Sequence, residues 1–200
     1  MTNNTRSIII LAGGEGKRVG GRKKYLFCYK GQTFIDLIVQ LSQRICNDIV
    51  IVTKNSDLAK HFEEFPVKCT WDRIEGLGPI GGIHAGISEI TGKYVFITAC
   101  DMPTINYSIV KYLFEHIENY DAVIPKWNNG TIEPLHAVYN VLETRNYFVK
   151  HDYRTFSLRD MVNSLNTNWI DTNDLRFLDK NLDTFRNINT MDDLQSFESI

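Results

Sequence analysis

Ile8-Ile9-Ile10-Leu11-Ala12-Gly13-Gly14-Glu15-Gly16-Lys17-Arg18-Val19-Gly20-Gly21-Arg22-Lys23-Lys24-Tyr25-Leu26 is the stretch that decides how the chain is read. A β-branched apolar run that stops at Gly13-Gly14 predicts a buried strand ending in a loop. Glycines at 13, 14, 16, 20 and 21 then lie among Lys17, Arg18, Arg22, Lys23 and Lys24. Glycine lets backbone N–H groups approach a ligand closely, successive N–H groups form an anion-binding concavity, and Lys and Arg pair with phosphate oxygens. The stretch predicts a loop that holds a polyphosphate at the carboxyl end of the first strand. Neither generic phosphate motif is present. Gly20-Gly21 runs into Arg22-Lys23 where a P-loop needs Lys-Ser/Thr, and Gly14-x-Gly16 falls out of step with G-x-G-x-x-G.

Outward from this loop, strand and helix patterns alternate. Thr33 with Asp36 predicts a capping box for a helix carrying Phe34, Leu37, Ile38, Leu41 and Ile45 on one face. Asp48–Val52 and Val67–Trp71 read as strands, with a short helix over 57–64 between them. Gly76, Gly78, Gly81 and Gly82 surround Pro79 in a second glycine-rich loop, and a helix follows over His84–Ile90. Tyr94–Ala99 is a strand that stops at Cys100-Asp101-Met102-Pro103. Asn106 predicts the cap of the next helix, which Ala122–Ile124 and Leu135–Val141 follow as strands. A helix is expected over 157–165. Thr190 with Asp193 marks the cap of a last helix bearing Leu194 and Phe197. Residues 142–184 carry no interpretable motif. The alternation predicts one α/β domain over 1–200, a three-layer α/β/α sandwich with a mostly parallel, Rossmann-like sheet. Ligands of such sheets bind outside the carboxyl ends of the strands. The loops after Leu11, Val52, Trp71 and Ala99, with the glycines, Thr53, Asp72 and Asp101, are therefore expected at one edge.

Composition is ordinary for a soluble globular protein. The chain has 200 residues, is 43% hydrophobic and carries a net charge of −2, which favours no nucleic-acid partner. Residues 17–30 nevertheless hold six basic residues and no acid, which marks a local anion site. The cysteines at 28, 46, 69 and 100 lack zinc spacing, and three of them read as small core residues. No apolar run approaches the ~20 residues that span a bilayer, and the start lacks the apolar core of a signal peptide. A reducing cytoplasm is the expected location.

Asp101 is the leading candidate for chemistry. It lies two residues past a buried strand, and Mg²⁺ is typically bound by one or two carboxylates together with substrate phosphates. Gly81 and Gly82, at the head of a helix, offer N–H groups to an anion. His136 reads as a structural histidine and is assigned no catalytic role.

The pattern L-A-G-G-x-x-x-R-V-G-G-x-x-K-x-L, over Leu11–Leu26, resembles the signature loop of nucleotidyltransferases, and within them the molybdenum cofactor guanylyltransferases (MobA family). Cys100-Asp101-Met102-Pro103 resembles the family's metal-binding C-D-x-P. Asp72 through Gly82 resembles the segment whose Asp lies against the nucleotide. Glu133-Pro134-Leu135-His136-Ala137-Val138-Tyr139 resembles E-P-L-x-A-x-Y, which the family places near the acceptor pterin. Phe185-Arg186-Asn187-Ile188-Asn189-Thr190 resembles F-x-N-x-N-T. The resemblance covers most of 7–140 and 185–197. It departs at Lys23, where the family usually has Asp, and at Thr53, where some relatives carry Asn.

The resemblance implies guanylyl transfer from GTP to molybdopterin with release of pyrophosphate. It implies that Arg18, Lys24 and Asp101 are catalytic and that Asp101 binds Mg²⁺. Leu11, Ala12, Gly13, Gly14, Lys24, Thr53, Asp72, Gly81 and Asp101 would bind the nucleotide. Glu133, Pro134, Leu135, Asn187 and Asn189 would bind the acceptor. Transient contact with molybdopterin-delivering or molybdoenzyme-maturation proteins is a further implication; neither nucleic acid nor membrane is. Two alternatives stand beside it: another nucleotidyltransferase, acting by cytidylyl transfer to molybdopterin or on a phosphorylated sugar or polyol, and a catalytically weak nucleotide-binding regulator.

Overall fold

A computed structural model describes residues 5–13, 24–74, 76–188, 190 and 193. Strand β1 (Arg6–Leu11) lies between β4 (Asp48–Thr53) and β6 (Tyr94–Ala99) in a seven-stranded sheet of order β5-β4-β1-β6-β8-β7-β9. Here β5 is Lys68–Trp71, β7 Ala122–Lys126, β8 His136–Asn140 and β9 Thr167–Asp171. Strand β8 alone runs against the others, pairing antiparallel with both β6 and β7. The sheet is thus mostly parallel, as the alternation predicts. A two-stranded hairpin, β2 (Cys28–Tyr29) and β3 (Gln32–Thr33), follows the basic loop.

The central strands are apolar throughout because both their faces are covered. Ile8, Ile10, Ile49, Ile51 and Phe96 pack into one core cluster with α1 (Phe34–Gln43) and α4 (Tyr107–Glu115). Ile9, Val50, Val52, Val95 and Ile97 enter the opposite cluster with α3 (Pro79–Ile87), α5 (Val141–Lys150) and α6 (Leu158–Ser164). The in-register pairing of Ile8 with Ile49 and of Ile9 with Val50 keeps each set on its own face. Cys46 and Cys100 are buried and Cys69 is half-buried, while Cys28 is exposed.

The capping signals are seen where the sequence places them. Thr33 and Asp36 form a reciprocal capping box at α1, and the Asn106 side chain caps α4. Thr190 and Asp193 exchange the same two bonds, at 2.8 and 3.0 Å; the helix body expected beyond them, with Leu194 and Phe197, lies outside the described residues. Two expectations are corrected. The helix over 57–64 is a single α turn, α2 (Ser56–Ala59), tightening into a 3₁₀ turn at Lys60–Phe62. The helix expected from His84 begins at Pro79, because proline suits the first helical turn. Among the described residues no helix is long and apolar enough to cross a membrane.

Candidate active site

Three backbone bonds carry the parallel ladder past the strand ends and bring four loops to one place. Ala12 N donates to Val52 O (2.8 Å), Cys100 N to Leu11 O (3.0 Å) and Asp72 N to Thr53 O (2.8 Å). The cleft above them has a volume of about 480 Å³. It lies beside β1, where the chain connections diverge to opposite sides of the sheet. It is lined by Leu11 and Gly13 at the end of β1, Thr53 and Lys54 at the end of β4, Asp72 after β5, Gly76 and Gly78 of the loop before α3, Pro79 and Gly82 of α3 itself, and by Asp101 and Leu135.

Gly13 is held against the next strand's loop: a Cβ there would lie 3.3 Å from the Lys54 amide nitrogen. That leaves a backbone edge on the cleft with no side chain over it. Gly78, at the N-cap of α3, has φ +65°, a conformation L side chains rarely adopt.

Asp72 is fixed from two sides. Its Oδ1 accepts the Ile74 amide at 2.9 Å, and its carboxylate rests on the Cα of Gly81, so closely that a Cβ there would collide with both oxygens. The Gly81 amide donates to the Gly78 carbonyl at 3.2 Å. Gly81, expected to meet the nucleotide, is set back from the lining of the cleft. Its amide is already engaged, its Cα is the seat of Asp72, and Gly82 is the helix glycine on the cleft wall. Three residues along α3 from Gly81, His84 feels the Asp72 charge, but burial dominates and holds its basicity below the usual histidine value.

The other expected residues divide clearly. Leu11, Gly13, Thr53, Asp72, Asp101 and Leu135 meet at the cleft. Ala12 is buried directly behind it. Thr53 reaches the wall without offering its hydroxyl, which donates to the Asn55 carbonyl at 2.9 Å and also faces that of Thr70. Glu133 and Pro134 are set back from the wall. The Glu133 carboxylate accepts the Trp127 indole N–H at 2.7 Å, and the Pro134 carbonyl accepts the Tyr139 hydroxyl at 2.7 Å. Burial pushes the Glu133 carboxyl up, against the indole bond that lowers it. Asn187 is exposed. Gly14, Arg18 and Asn189, and the side chain of Lys24, lie outside the described residues.

Two wall residues have no signal in the sequence argument. Lys54 simply follows Thr53 at the end of β4. Tyr25 hides in the basic stretch, yet its ring is buried and packs on Phe62 with centroids 4.8 Å apart.

A mostly parallel sheet with a glycine-edged cleft and two carboxylates at its strand ends defines a nucleotide-handling α/β protein. Comparison with known proteins makes the class specific. The chain belongs to the MobA-like NTP transferase family, whose domain matches residues 8–166. A relative from Methanosarcina acetivorans, named as a probable molybdenum cofactor guanylyltransferase, is 33% identical over 96% of this chain and 89% of its own length. The molybdenum cofactor guanylyltransferase of Desulfosudis oleivorans is 34% identical over 96% of this chain and 93% of its own. The crystal structure of molybdopterin-guanine dinucleotide biosynthesis protein A from Archaeoglobus fulgidus superposes with a TM-score of 0.82 at 27% identity, covering 96% of this chain and 97% of that one.

Proposed function

We propose that this enzyme transfers GMP from GTP to molybdopterin, giving molybdopterin guanine dinucleotide and pyrophosphate. The observation that carries the reading is the convergence of Gly13, Asp72 and Asp101 on one cleft of dinucleotide scale, in a chain whose relatives bear the guanylyltransferase name.

In this reading the terminal phosphate of the pterin attacks the α-phosphorus of GTP in line, the bond to the bridging oxygen breaks, and pyrophosphate leaves. No covalent enzyme intermediate is required, so the protein's task is positioning and charge neutralisation. The backbone at Leu11, Ala12 and Gly13 borders the base and ribose. Arg18 and Lys24 hold the phosphates. Leu135, Glu133, Pro134, Asn187 and Asn189 hold the acceptor.

The donor chemistry fits Mg²⁺. Asp72 and Asp101 present hard oxygen ligands to the same space. Mg²⁺ usually takes one or two carboxylates and completes its shell from substrate phosphates and water. A magnesium ion held by Asp101 would supply neutralisation of the triphosphate charge.

Pyrophosphate release measured with each of the four NTPs, with and without molybdopterin, tests the reading. Release is expected with GTP and molybdopterin together. Preference for CTP, or release that ignores molybdopterin, overturns it.

A further inference from the structure

The segment 183–188 lies as a strap across the loop that carries Asp101. Thr104 Oγ1 donates to the Asp183 carbonyl at 2.8 Å, and the Asn106 amide donates to Thr184 Oγ1 at 2.9 Å. The Ile188 amide donates to the Asp101 carbonyl at 2.9 Å. The Ile188 side chain is fully buried between Phe27 and Phe34, directly after the basic loop. The strap thereby ties the Asp101 turn to the anchor of the phosphate loop.

What holds the strap from below is His136. Its ring is fully buried, edge-on to Phe96 and Phe185 at 5.0 and 4.9 Å, and its Nε2 lies 3.1 Å from Thr184 Oγ1. The proton can be placed by counting. If Nε2 accepts from the Thr184 hydroxyl, one buried group, Nδ1–H, has no partner among the described residues. If Nε2 donates instead, both the Thr184 proton and Nδ1 are orphaned. Each buried orphan costs ~1–3 kcal/mol, so the first tautomer is assigned. Burial also holds the imidazole base down to about 3, so the ring stays a neutral acceptor.

We propose that His136 is a positioning residue for guanylyl transfer: through the Thr184 hydroxyl it seats the 183–188 strap, whose Ile188 amide fixes the turn that aims the Asp101 carboxylate into the cleft. The proposal rests on the Mg²⁺·GTP reading above.

Thr184→Val removes the bridging hydroxyl at nearly constant volume, and Thr184→Ser retains it. Three quantities are read for each: melting temperature, GTP KM against kcat, and affinity for Mn²⁺ in the presence of a non-hydrolysable GTP analogue, followed by the EPR signal of free Mn²⁺. Outer-shell partners of metal ligands typically carry 10–100-fold in affinity or activity. Thr184→Val is expected to weaken Mn²⁺ binding and lower kcat by about tenfold with KM for GTP unchanged, and Thr184→Ser to restore both. A folded Thr184→Val protein that binds Mn²⁺ and turns over like the parent overturns the proposal. So does a Thr184→Ser variant as impaired as the valine. If Thr184→Val does not fold, Thr104→Val removes another tie to the same strap and is read identically. A parent that binds no Mn²⁺·GTP overturns the proposed function itself and the strap's role with it. A parent that binds it, with variants that do not differ, overturns the strap alone.

Discussion

The backbone amide of Ile188 donates to the carbonyl of Asp101 at 2.9 Å, although the two residues stand 87 positions apart in the chain. The turn bearing the proposed metal ligand is thus held by main-chain atoms at this point, and the carboxylate can be removed without touching the bond that shapes the turn.

Asp101→Ala is therefore expected to fold with a melting temperature close to the parent's while losing activity. Loss of one electrostatic group aimed at a transition state typically costs about 10²–10³ in kcat, or ~2.7–4 kcal/mol. Steady-state pyrophosphate release beside a thermal melt checks both halves. A folded variant with parental kcat removes Asp101 from the chemistry.

Gly81→Ala tests the seat of Asp72. The added methyl would collide with the carboxylate, so the acid must leave its position or α3 must shift. Activity is expected to fall by about tenfold or more, the usual scale when a residue that holds a ligand-facing group in place is disturbed. The effect should be non-additive. In an Asp72→Ala background there is no carboxylate to displace, and Gly81→Ala should then cost little further. A double-mutant cycle on kcat measures the coupling. Additive losses would show that Gly81 matters for a reason unrelated to Asp72.

Much of this arrangement is legible in the chain. Apolar strands ending at Gly13 and Ala99, and reciprocal caps at Thr33 and Thr190, are local signals, and local signals survive folding. Pairings distant in sequence are not legible. Nothing near Leu135 announces that β8 inserts antiparallel between β6 and β7. Helix α5 escapes notice because its apolar residues do not keep to one face: Leu142 and Val149 are exposed while Tyr147 and Phe148 are buried. Gly81 reads as an anion-binding amide because a helix-leading glycine is equally apt for that and for close packing. The approach of Asp72, nine residues upstream, shows the packing role, and nothing local to Gly81 announces it.

At the opposite end of the sheet, Asp48 staples three segments. Its Oδ2 accepts from Ser7 Oγ (2.6 Å) and the amides of Thr91 (2.7 Å) and Gly92 (3.3 Å), and its Oδ1 accepts from Lys68 Nζ (3.0 Å). Burial by itself raises the Asp48 pKa, but the Ser7 and Thr91 bonds and the Lys68 ammonium outweigh burial and hold the carboxyl at about 2. The folded value lies below the unfolded 3.8, so the stabilisation is complete above pH 3.8 and is lost as pH falls through about 2. Asp48→Ala leaves the Ser7 hydroxyl and the Thr91 amide short of an acceptor, while the Gly92 amide keeps its 2.9 Å bond to Ser7 Oγ, and is expected to cost roughly 2–3 kcal/mol in urea unfolding at pH 7. The kcat of the folded enzyme should not change, because the staple is remote from the cleft.

His136 gives the fold a dependence on pH at milder acidity. Its imidazole takes a proton at 6.5 when unfolded but only at about 3 when folded, because burial disfavours the cation. Between those values the unfolded chain binds the extra proton, so stability falls as pH falls. The slope from this one group is about 1.4 kcal/mol per pH unit. His84, whose basicity burial also lowers, adds in the same direction, whereas the raised carboxyl of Glu133 acts in the opposite sense near its own range. The His136 contribution is isolated by difference. Urea unfolding of the parent and of His136→Phe at pH 7, 6 and 5 should show slopes that differ by about 1.4 kcal/mol per unit below 6.5, with the variant the flatter. Parallel slopes would mean that the ring is protonated in the native state, which would leave Nε2 unable to accept from Thr184.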